Sequence, residues 1–155
     1  MTLPTSSMLD KINIRQLDAI RLPLVKKLYK QHYPSAKPKS DETIYTLEHQ
    51  KQIIATLRLR TIGQYRLMTG MLVLPTYRQQ GVGGALLTYC KENVFQAGDY
   101  CFALNHLGDY YQRYGFKIGA VESLPNDLRT LLLRYTGTGK DLIPMSFEKN
   151  SNGSN

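Results

Sequence analysis

The hydrophobic positions along this 155-residue chain recur at two different periods. From Ile53 to Arg60, alternate positions put Ile53, Ala55, Leu57 and Leu59 on one face and Thr56, Arg58 and Arg60 on the other, which is typical of a half-buried β-strand. Between positions 86 and 94 the apolar side chains instead recur at helical spacing. Together with turn residues and breakers, these patterns predict strands at 12–17, 43–47, 53–60, 66–74, 100–104, 116–121 and 142–147, a turn at 48–51, and helices at 23–32, 83–95, 107–114 and 127–135, the last capped by Asn126.

The order of these elements predicts a mixed α/β domain. Short connections join the three strands between residues 43 and 74, which favours an antiparallel meander. The strand, helix and strand over 66–104 form a βαβ unit, whose two strands run parallel. The sequence shows no internal repeat and no interdomain linker. It therefore predicts one domain over 1–155, with a loose leader at 1–10 and a disordered tail at 148–155.

The composition, 42% hydrophobic and 21% charged, is that of a soluble globular protein. No apolar run approaches the about 20 residues that span a bilayer. The N-terminal segment lacks the basic-then-apolar pattern of a signal peptide, so we expect a cytoplasmic protein without a membrane partner. Cys90 and Cys101 match no metal-ligand spacing. We expect them to be reduced, packed thiols and expect no bound metal.

The formal net charge of +8 is concentrated in the first part of the chain. Residues 1–60 hold 11 Lys/Arg against 5 Asp/Glu, and no acid lies between Asp18 and Asp41. This basic stretch is either a solvated helix face or a surface for an anionic partner. Nucleic acid is the least favoured partner, because no aromatic side chains are interleaved with the basic ones on a strand. The basic residues of this stretch are Arg21, Lys26, Lys27, Lys30, Lys37 and Lys39.

A glycine-rich corner follows the predicted strand 66–74. After Pro75 and a short polar turn, Gly81, Gly83 and Gly84 lead directly into helical spacing. Such a corner leaves backbone N–H groups unpaired at a helix N-terminus, where the helix dipole also favours negative charge. The sequence therefore predicts a phosphorylated ligand that is held by the main chain.

Two familiar glycine-rich designs do not fit this corner. A nucleoside-triphosphate loop needs Lys and Ser/Thr after its last glycine, whereas Gly84 and Ala85 follow Gly83 here. A dinucleotide fingerprint needs a third glycine where Leu86 stands and an acid about twenty residues later. Asp99 precedes the next predicted strand instead of ending it, so this second requirement fails as well.

A third design does fit. Arg78-Gln79-Gln80-Gly81-Val82-Gly83 resembles the Arg/Gln-x-x-Gly-x-Gly/Ala pyrophosphate loop of the GNAT superfamily of acetyl-CoA-dependent N-acetyltransferases, and the preceding Val73-Leu74-Pro75-Thr76-Tyr77 resembles its lead-in. Tyr110-Tyr111-Gln112-Arg113-Tyr114-Gly115-Phe116 is similar to the aromatic-Tyr-x-x-x-Gly-Phe motif of that family. The resemblance implies a bacterial-type, single-domain member with a mixed, mostly antiparallel central sheet of six to seven strands and helices on both faces. It also implies acetyl-CoA (coenzyme A) as co-substrate and acetyl transfer to a primary amine by direct attack in a ternary complex.

The resemblance also implies roles for particular residues. Tyr111 matches the position of the general acid that protonates the leaving thiolate, and an N–H near Val73 would polarise the thioester carbonyl. Arg78 either adds charge near the phosphates or braces the turn, and Asn105 either contacts the cofactor or caps the helix at 107. The cofactor-binding residues implied are Leu72, Val73, Leu74, Arg78, Gln79, Gln80, Gly81, Val82, Gly83, Gly84 and Asn105.

The general base and the acceptor stay open at this level. The strand at 66–74 carries no acid or histidine, so water or one of Glu42, Glu48, His49 and His106 would accept the proton of the amine. The resemblance implies that residues 20–42 and 122–140 border the acceptor site. The first of these segments is basic, which favours an anionic acceptor.

The expected partner is an amine on a small molecule or peptide, and a homodimer stays an open alternative. The alternative function is a non-catalytic acyl-CoA-binding sensor or interaction module.

Overall fold

The computed structural model describes residues 11–149, which divide into two compact units. The first unit comprises the described residues up to Arg60 together with Thr69–Glu92, and the second comprises Thr61–Met68 and the described residues from Asn93 onwards. The predicted leader at 1–10 and most of the predicted tail lie outside the described residues. Within the tail, the Glu148 N–H donates a hydrogen bond of 2.9 Å to the Gly115 carbonyl.

Seven strands form one sheet with the order β1-β2-β3-β4-β5-β7-β6. The pairs β1–β2, β2–β3, β5–β7 and β6–β7 are antiparallel, whereas β4–β5 is parallel. The prediction of a mixed, mostly antiparallel sheet is therefore confirmed. The strands are β1 Ile12–Gln16, β2 Thr43–His49, β3 Gln52–Ile62, β4 Tyr65–Val73, β5 Asp99–Leu104, β6 Phe116–Ile118 and β7 Leu142–Phe147.

Four α-helices lie within residues 11–149. They are α1 Leu22–His32, α2 Val82–Asn93, α3 Gly108–Gln112 and α4 Asn126–Gly137. Pro23 stands in the first turn of α1, where its missing N–H costs nothing, as the sequence predicts. Among the described residues, no helix combines the length and the apolar character that a bilayer crossing requires.

Three local predictions are wrong. Glu48 and His49 belong to β2, and the turn is Gln50-Lys51, whose φ angles of 52° and 68° give the left-handed pair that a two-residue hairpin uses. The strand predicted to reach residue 121 ends at Ile118. Asn126 lies inside α4 instead of capping it, and its Oδ1 accepts a hydrogen bond from Arg129.

Strand β3 is buried on both faces, whereas its alternating pattern predicts a half-buried strand. Thr56 and Arg58, on the polar side of the pattern, are 0% and 5% exposed. Helix α1 covers this side, since the Arg58 guanidinium lies over the Tyr29 ring at 5.1 Å from its centroid. Thr56 and Arg58 are therefore interior groups that need partners.

The parallel pairing of β4 with β5 covers only three residue pairs, from Arg66–Asp99 to Met68–Cys101. Arg66 secures its beginning: the guanidinium donates to both carboxylate oxygens of Asp99, at 2.7 and 2.6 Å, and to the Val94 carbonyl at 3.0 Å. Asp99 is buried, so this bidentate pair also neutralises its charge. The described β4–β5 pairing ends at Met68, and the rest of β4 continues beyond it.

Cys90 and Cys101 are free and buried, which confirms the prediction of packed thiols. Burial raises the pKa of Cys90 to about 12 and raises the pKa of Cys101 further. Both side chains therefore act as small apolar groups, since the reactive thiolate form is strongly disfavoured.

Candidate functional site

The glycine-rich corner is a tight, left-handed turn between β4 and α2. A short 3₁₀-helix over Pro75–Tyr77 leads into it. Gln79 and Gly81 then adopt φ angles of 63° and 78°. Glycine takes this conformation at no steric cost, whereas Gln79 stores some strain in it. The turn therefore depends on Gly81 to bring the chain directly onto the first residue of α2.

The backbone N–H groups at the start of α2 have no acceptor within the helix. The first bond of the helical ladder is donated by the Ala85 N–H to the Gly81 carbonyl, at 3.0 Å. The N–H groups of the three residues before Ala85, which are Val82, Gly83 and Gly84, therefore lie ahead of the first helical hydrogen bond. Unbonded donors at the positive end of a helix dipole favour an anion, so this geometry is compatible with the phosphate site that the sequence predicts.

Two polar side chains of the corner bond to the backbone that leads into it, one to the end of β4 and one to the 3₁₀-helix. The Arg78 Nε donates to the Val73 carbonyl at 3.0 Å, and the Gln80 amide donates to the Thr76 carbonyl at 2.8 Å. Arg78 thus braces the turn, which is one of the two predicted roles. Its side chain is also exposed, so its charge is available beside the free N–H groups.

The last residues of β4 differ in what their backbones offer. The Leu74 N–H donates to the Ile54 carbonyl at 2.9 Å, so it faces β3. Neighbouring N–H groups of an extended chain point to opposite sides. The Val73 N–H therefore faces the edge of β4 that is opposite to β3, while the Leu72 side chain is buried in the core. This orientation suits the donor that the sequence assigns to a thioester oxygen.

Tyr111 lies in the short helix α3 of the second unit, 8% exposed. Its ring packs edge-on against Tyr110 and Phe116, with centroid distances of 5.2 and 6.4 Å. Asn105 is the first residue of a 3₁₀-helix whose N-cap is Leu104, and the N-cap of α3 is Leu107, so the capping alternative for Asn105 is wrong. Its exposed side chain leaves the cofactor contact as the remaining prediction.

The acidic candidates for a general base are engaged in ion pairs. Glu42 accepts a hydrogen bond from Arg58 at 2.7 Å, and both side chains are almost fully buried. Burial would raise the pKa of Glu48, but hydrogen bonds from Arg21 and Arg15 outweigh it and hold that pKa below its usual range. A carboxylate held in this way is a weak base.

The two histidine candidates differ in their surroundings. His49 packs edge-on against Tyr77, with ring centroids 5.9 Å apart. Its Nδ1 is buried and has no hydrogen-bond partner among the described residues. His106 is exposed in the 3₁₀-helix that follows β5.

The pairing of Glu48 predicts an acid-sensitive contribution to stability. Because its pKa is lower in the folded than in the unfolded chain, the carboxylate stabilises the fold above its ordinary pKa and loses that effect as pH falls through the lowered value. Glu48→Gln should therefore lower the free energy of unfolding at pH 7 by about 1 kcal/mol. Urea titrations from pH 7 to pH 2 should show the two proteins converging at the acid end. The exposed Glu92→Gln is the control, and a pH-independent difference for Glu48→Gln would contradict the assignment.

Sequence reasoning missed a buried polar cluster beside β4. The Tyr29 hydroxyl donates a short hydrogen bond to the Gly70 carbonyl, and Arg58 and Glu42 lie next to it. Gly70 is the residue from which the sequence could have indicated this cluster, because an isolated glycine inside a strand pattern indicates a bulge or a close approach of another group. Its φ of 65° confirms a local distortion of β4.

Residues 40–118 match the model of the acetyltransferase (GNAT) domain family. No curated protein sequence matches the chain significantly. Several solved structures share its fold, and we describe three of them.

An N-acetylglutamate synthase from Neisseria gonorrhoeae, complexed with coenzyme A and N-acetyl-glutamate, aligns with a TM-score of 0.69 and 17% identity over 90% of this chain. The ribosomal-protein-S18-alanine N-acetyltransferase from Escherichia coli aligns with a TM-score of 0.62 and 15% identity over 88% of this chain and 92% of its own. The PaiA N-acetyltransferase from Thermoplasma acidophilum, in complex with coenzyme A, aligns with a TM-score of 0.56 and 14% identity over 88% of this chain and 99% of its own.

These identities are too low to transfer a substrate, so the likeness shows the fold. The chain spans only about a third of the two N-acetylglutamate synthase chains, 35% and 34% of their length.

Proposed function

The chain belongs to the GNAT acetyltransferase family, whose domain model matches just over half of its length, and on that premise we propose that it transfers the acetyl group of acetyl-CoA to a primary amine. The observation that supports the proposal is the group of backbone N–H groups at the start of α2, which lie ahead of the first helical hydrogen bond. It follows directly on a strand whose last N–H faces away from β3. A pyrophosphate at the corner would leave the attached pantetheine arm free to run along that edge.

The corner would hold the pyrophosphate mainly by backbone donors. Gly81, Gly83 and Gly84 lack a Cβ, so phosphate oxygens can approach the main chain closely. Gln79, Gln80 and Val82 would contribute through their backbones, with the exposed charge of Arg78 beside them. Leu72, Val73 and Leu74 would line the arm, and Asn105 would contact the cofactor.

The chain has residues for two of the three tasks of amide formation. The Val73 N–H would stabilise the negative charge that develops on the carbonyl oxygen as the amine attacks. Tyr111 would donate a proton to the sulfur as the carbon–sulfur bond breaks. For the third task, deprotonation of the amine, Glu42 and Glu48 are held by arginines, which leaves His49, His106 and ordered water as the acceptors of the proton.

The acceptor we propose carries a carboxylate or phosphate beside its amine. The lysines between Asp18 and Asp41 are all exposed, so none is neutralised by burial against an acid. One solved relative points in a compatible direction, since it is complexed with N-acetyl-glutamate. The acceptor would be a small amino acid derivative or the N-terminus of an acidic peptide.

Turnover on a defined panel tests this function. Purified protein with acetyl-CoA should release free CoA thiol with glutamate, with peptides that begin with glutamate or with amino sugar phosphates, and much less with spermidine or an aminoglycoside. Preference for the cationic amines would reject the anionic acceptor but keep the acetyl transfer. Binding of acetyl-CoA without turnover on any amine would favour the alternative, an acyl-CoA-binding sensor.

A further inference from the structure

Strand β4 is distorted at Gly70. Its φ of 65° lies in the left-handed region, which inside a strand is the mark of a glycine bulge. A Cβ at this position would lie 2.6 Å from the Nε of Arg58. Two features therefore favour glycine at position 70: the backbone conformation and the close approach of the Arg58 side chain.

The carbonyl of Gly70 is held from the side of helix α1. The Tyr29 hydroxyl donates to it, and Tyr29 is fully buried. Burial raises the pKa of Tyr29 to about 12, although Arg58 acts in the opposite direction. The hydroxyl therefore keeps its proton, and remains a donor to Gly70, at any pH at which the protein would work.

Arg58 and Glu42 complete the cluster. The Arg58 Nη1 donates to Glu42 Oε1 at 2.7 Å, and their side chains are 6% and 5% exposed. The same carboxylate oxygen accepts a bond from the Lys39 N–H at 3.0 Å. A continuous set of contacts thus runs from the basic loop before β2, through the ion pair, to Tyr29 and Gly70.

Burying this polar cluster in the core costs free energy of folding. Within the described chain, the hydroxyls of Thr46 and Thr56 and the Nε of Arg58 have no hydrogen-bond partner although they are buried. A buried ion pair is often less stabilising than apolar side chains of the same volume. Stability alone therefore does not account for polar groups gathered at Gly70, the residue of β4 that has a positive φ.

We propose that Tyr29, Arg58 and Glu42 are positioning residues that fix the bulge of β4 at Gly70 and so aim the backbone N–H of Val73. A bulge redirects the strand beyond it, and Val73 lies three residues further along. An oxyanion donor acts only when its N–H points at the developing charge. This role rests on the acetyl transfer proposed above, but the conformation of β4 is measurable without it.

Tyr29→Phe is the test, because it removes one oxygen and keeps the ring. We expect kcat for acetyl transfer to fall by about tenfold or more, while KM for acetyl-CoA changes less than about threefold. Thr46→Val is the matched control: it also removes a buried hydroxyl, on the β2 residue that pairs with Thr56, but one that bonds to nothing among the described residues. It should keep wild-type kcat. Glu42→Gln, which weakens the ion pair, should lower kcat in the same direction as Tyr29→Phe, and Glu42→Asp should restore part of it.

Hydrogen exchange of the β4 amides separates this proposal from the proposed function. In Tyr29→Phe, the amides from Met71 to Val73 should exchange about tenfold faster than in wild type, and in Thr46→Val they should not. Faster exchange would support the positioning role even in a protein that acetylates no amine. Unchanged exchange together with unchanged kcat, or equal losses in Thr46→Val, would overturn it and leave the acetyl transfer untouched.

Discussion

Gly83→Val is expected to abolish coenzyme A binding while leaving the protein folded. Gly83 is the second residue of α2, ahead of the first bonded N–H of the helix. A valine there places two methyl groups beside the free donors, where phosphate oxygens would otherwise come within hydrogen-bond distance. We expect the dissociation constant for CoA to rise by about 1,000-fold, which corresponds to about 4 kcal/mol.

The fold should tolerate this substitution. Valine has a higher helix propensity than glycine by a few tenths of a kcal/mol, so α2 itself gains slightly. Isothermal titration calorimetry should therefore show a loss of CoA affinity in Gly83→Val. Thermal unfolding of the same variant should show the wild-type midpoint. Gly83→Ala should give an intermediate affinity, because it adds one methyl group.

Gly119→Val provides the matched control for this exchange. A Cβ added at Gly119 meets nothing within 4 Å among the described residues, so the same substitution there enters open space. It should bind CoA as wild type does. Undiminished CoA affinity in Gly83→Val would show that the corner does not hold the pyrophosphate, and the proposed function would lose its main support.

Local sequence patterns predicted most strands, all four helices and the glycine corner, because each depends on neighbours in the chain. The turn before β3 was predicted two residues too long, because Gln50 and Lys51 close it alone with left-handed angles that glycine or asparagine usually supply. The burial of Arg58 was missed because alternation reports only that its face differs from that of Leu57. Whether a helix then covers that face is decided by the tertiary fold.

The candidate site also contains some features that depend on neighbouring residues and others that depend on the tertiary fold. Gly81 and Gly83 are recognisable because anion binding at a helix start is a local property. The contact of Tyr29 with Gly70 joins residues 41 positions apart, and the Arg66–Asp99 pair joins residues 33 apart. No periodicity links such residues, so their roles become visible only when the sheet is assembled. The acceptor falls in the same class, because side chains from distant segments would define its pocket.

Tyr111→Phe is expected to lower kcat by at least about 100-fold at saturating acetyl-CoA and acceptor, because a positioned general acid contributes about that much. The phenylalanine keeps the edge-on packing against Tyr110 and Phe116 and removes only the hydroxyl. Binding of CoA should therefore change little, since the loss falls on the step in which the thiolate leaves. The signature is a reduced kcat with a nearly constant KM for acetyl-CoA.

Tyr110→Phe and Tyr114→Phe are the controls, because both rings belong to the same cluster, with Tyr110 5.4 Å from Tyr114 between centroids. Burial, helped by Tyr114, raises the pKa of Tyr110 to about 12, which makes its hydroxyl a poorer proton donor than an ordinary tyrosine. Each control should keep kcat within about threefold of wild type over pH 6 to 9. Equal losses in all three variants would assign the effect to packing of the cluster. A Tyr111→Phe enzyme with wild-type kcat across that range would leave the thiolate without a protein acid, protonated by water.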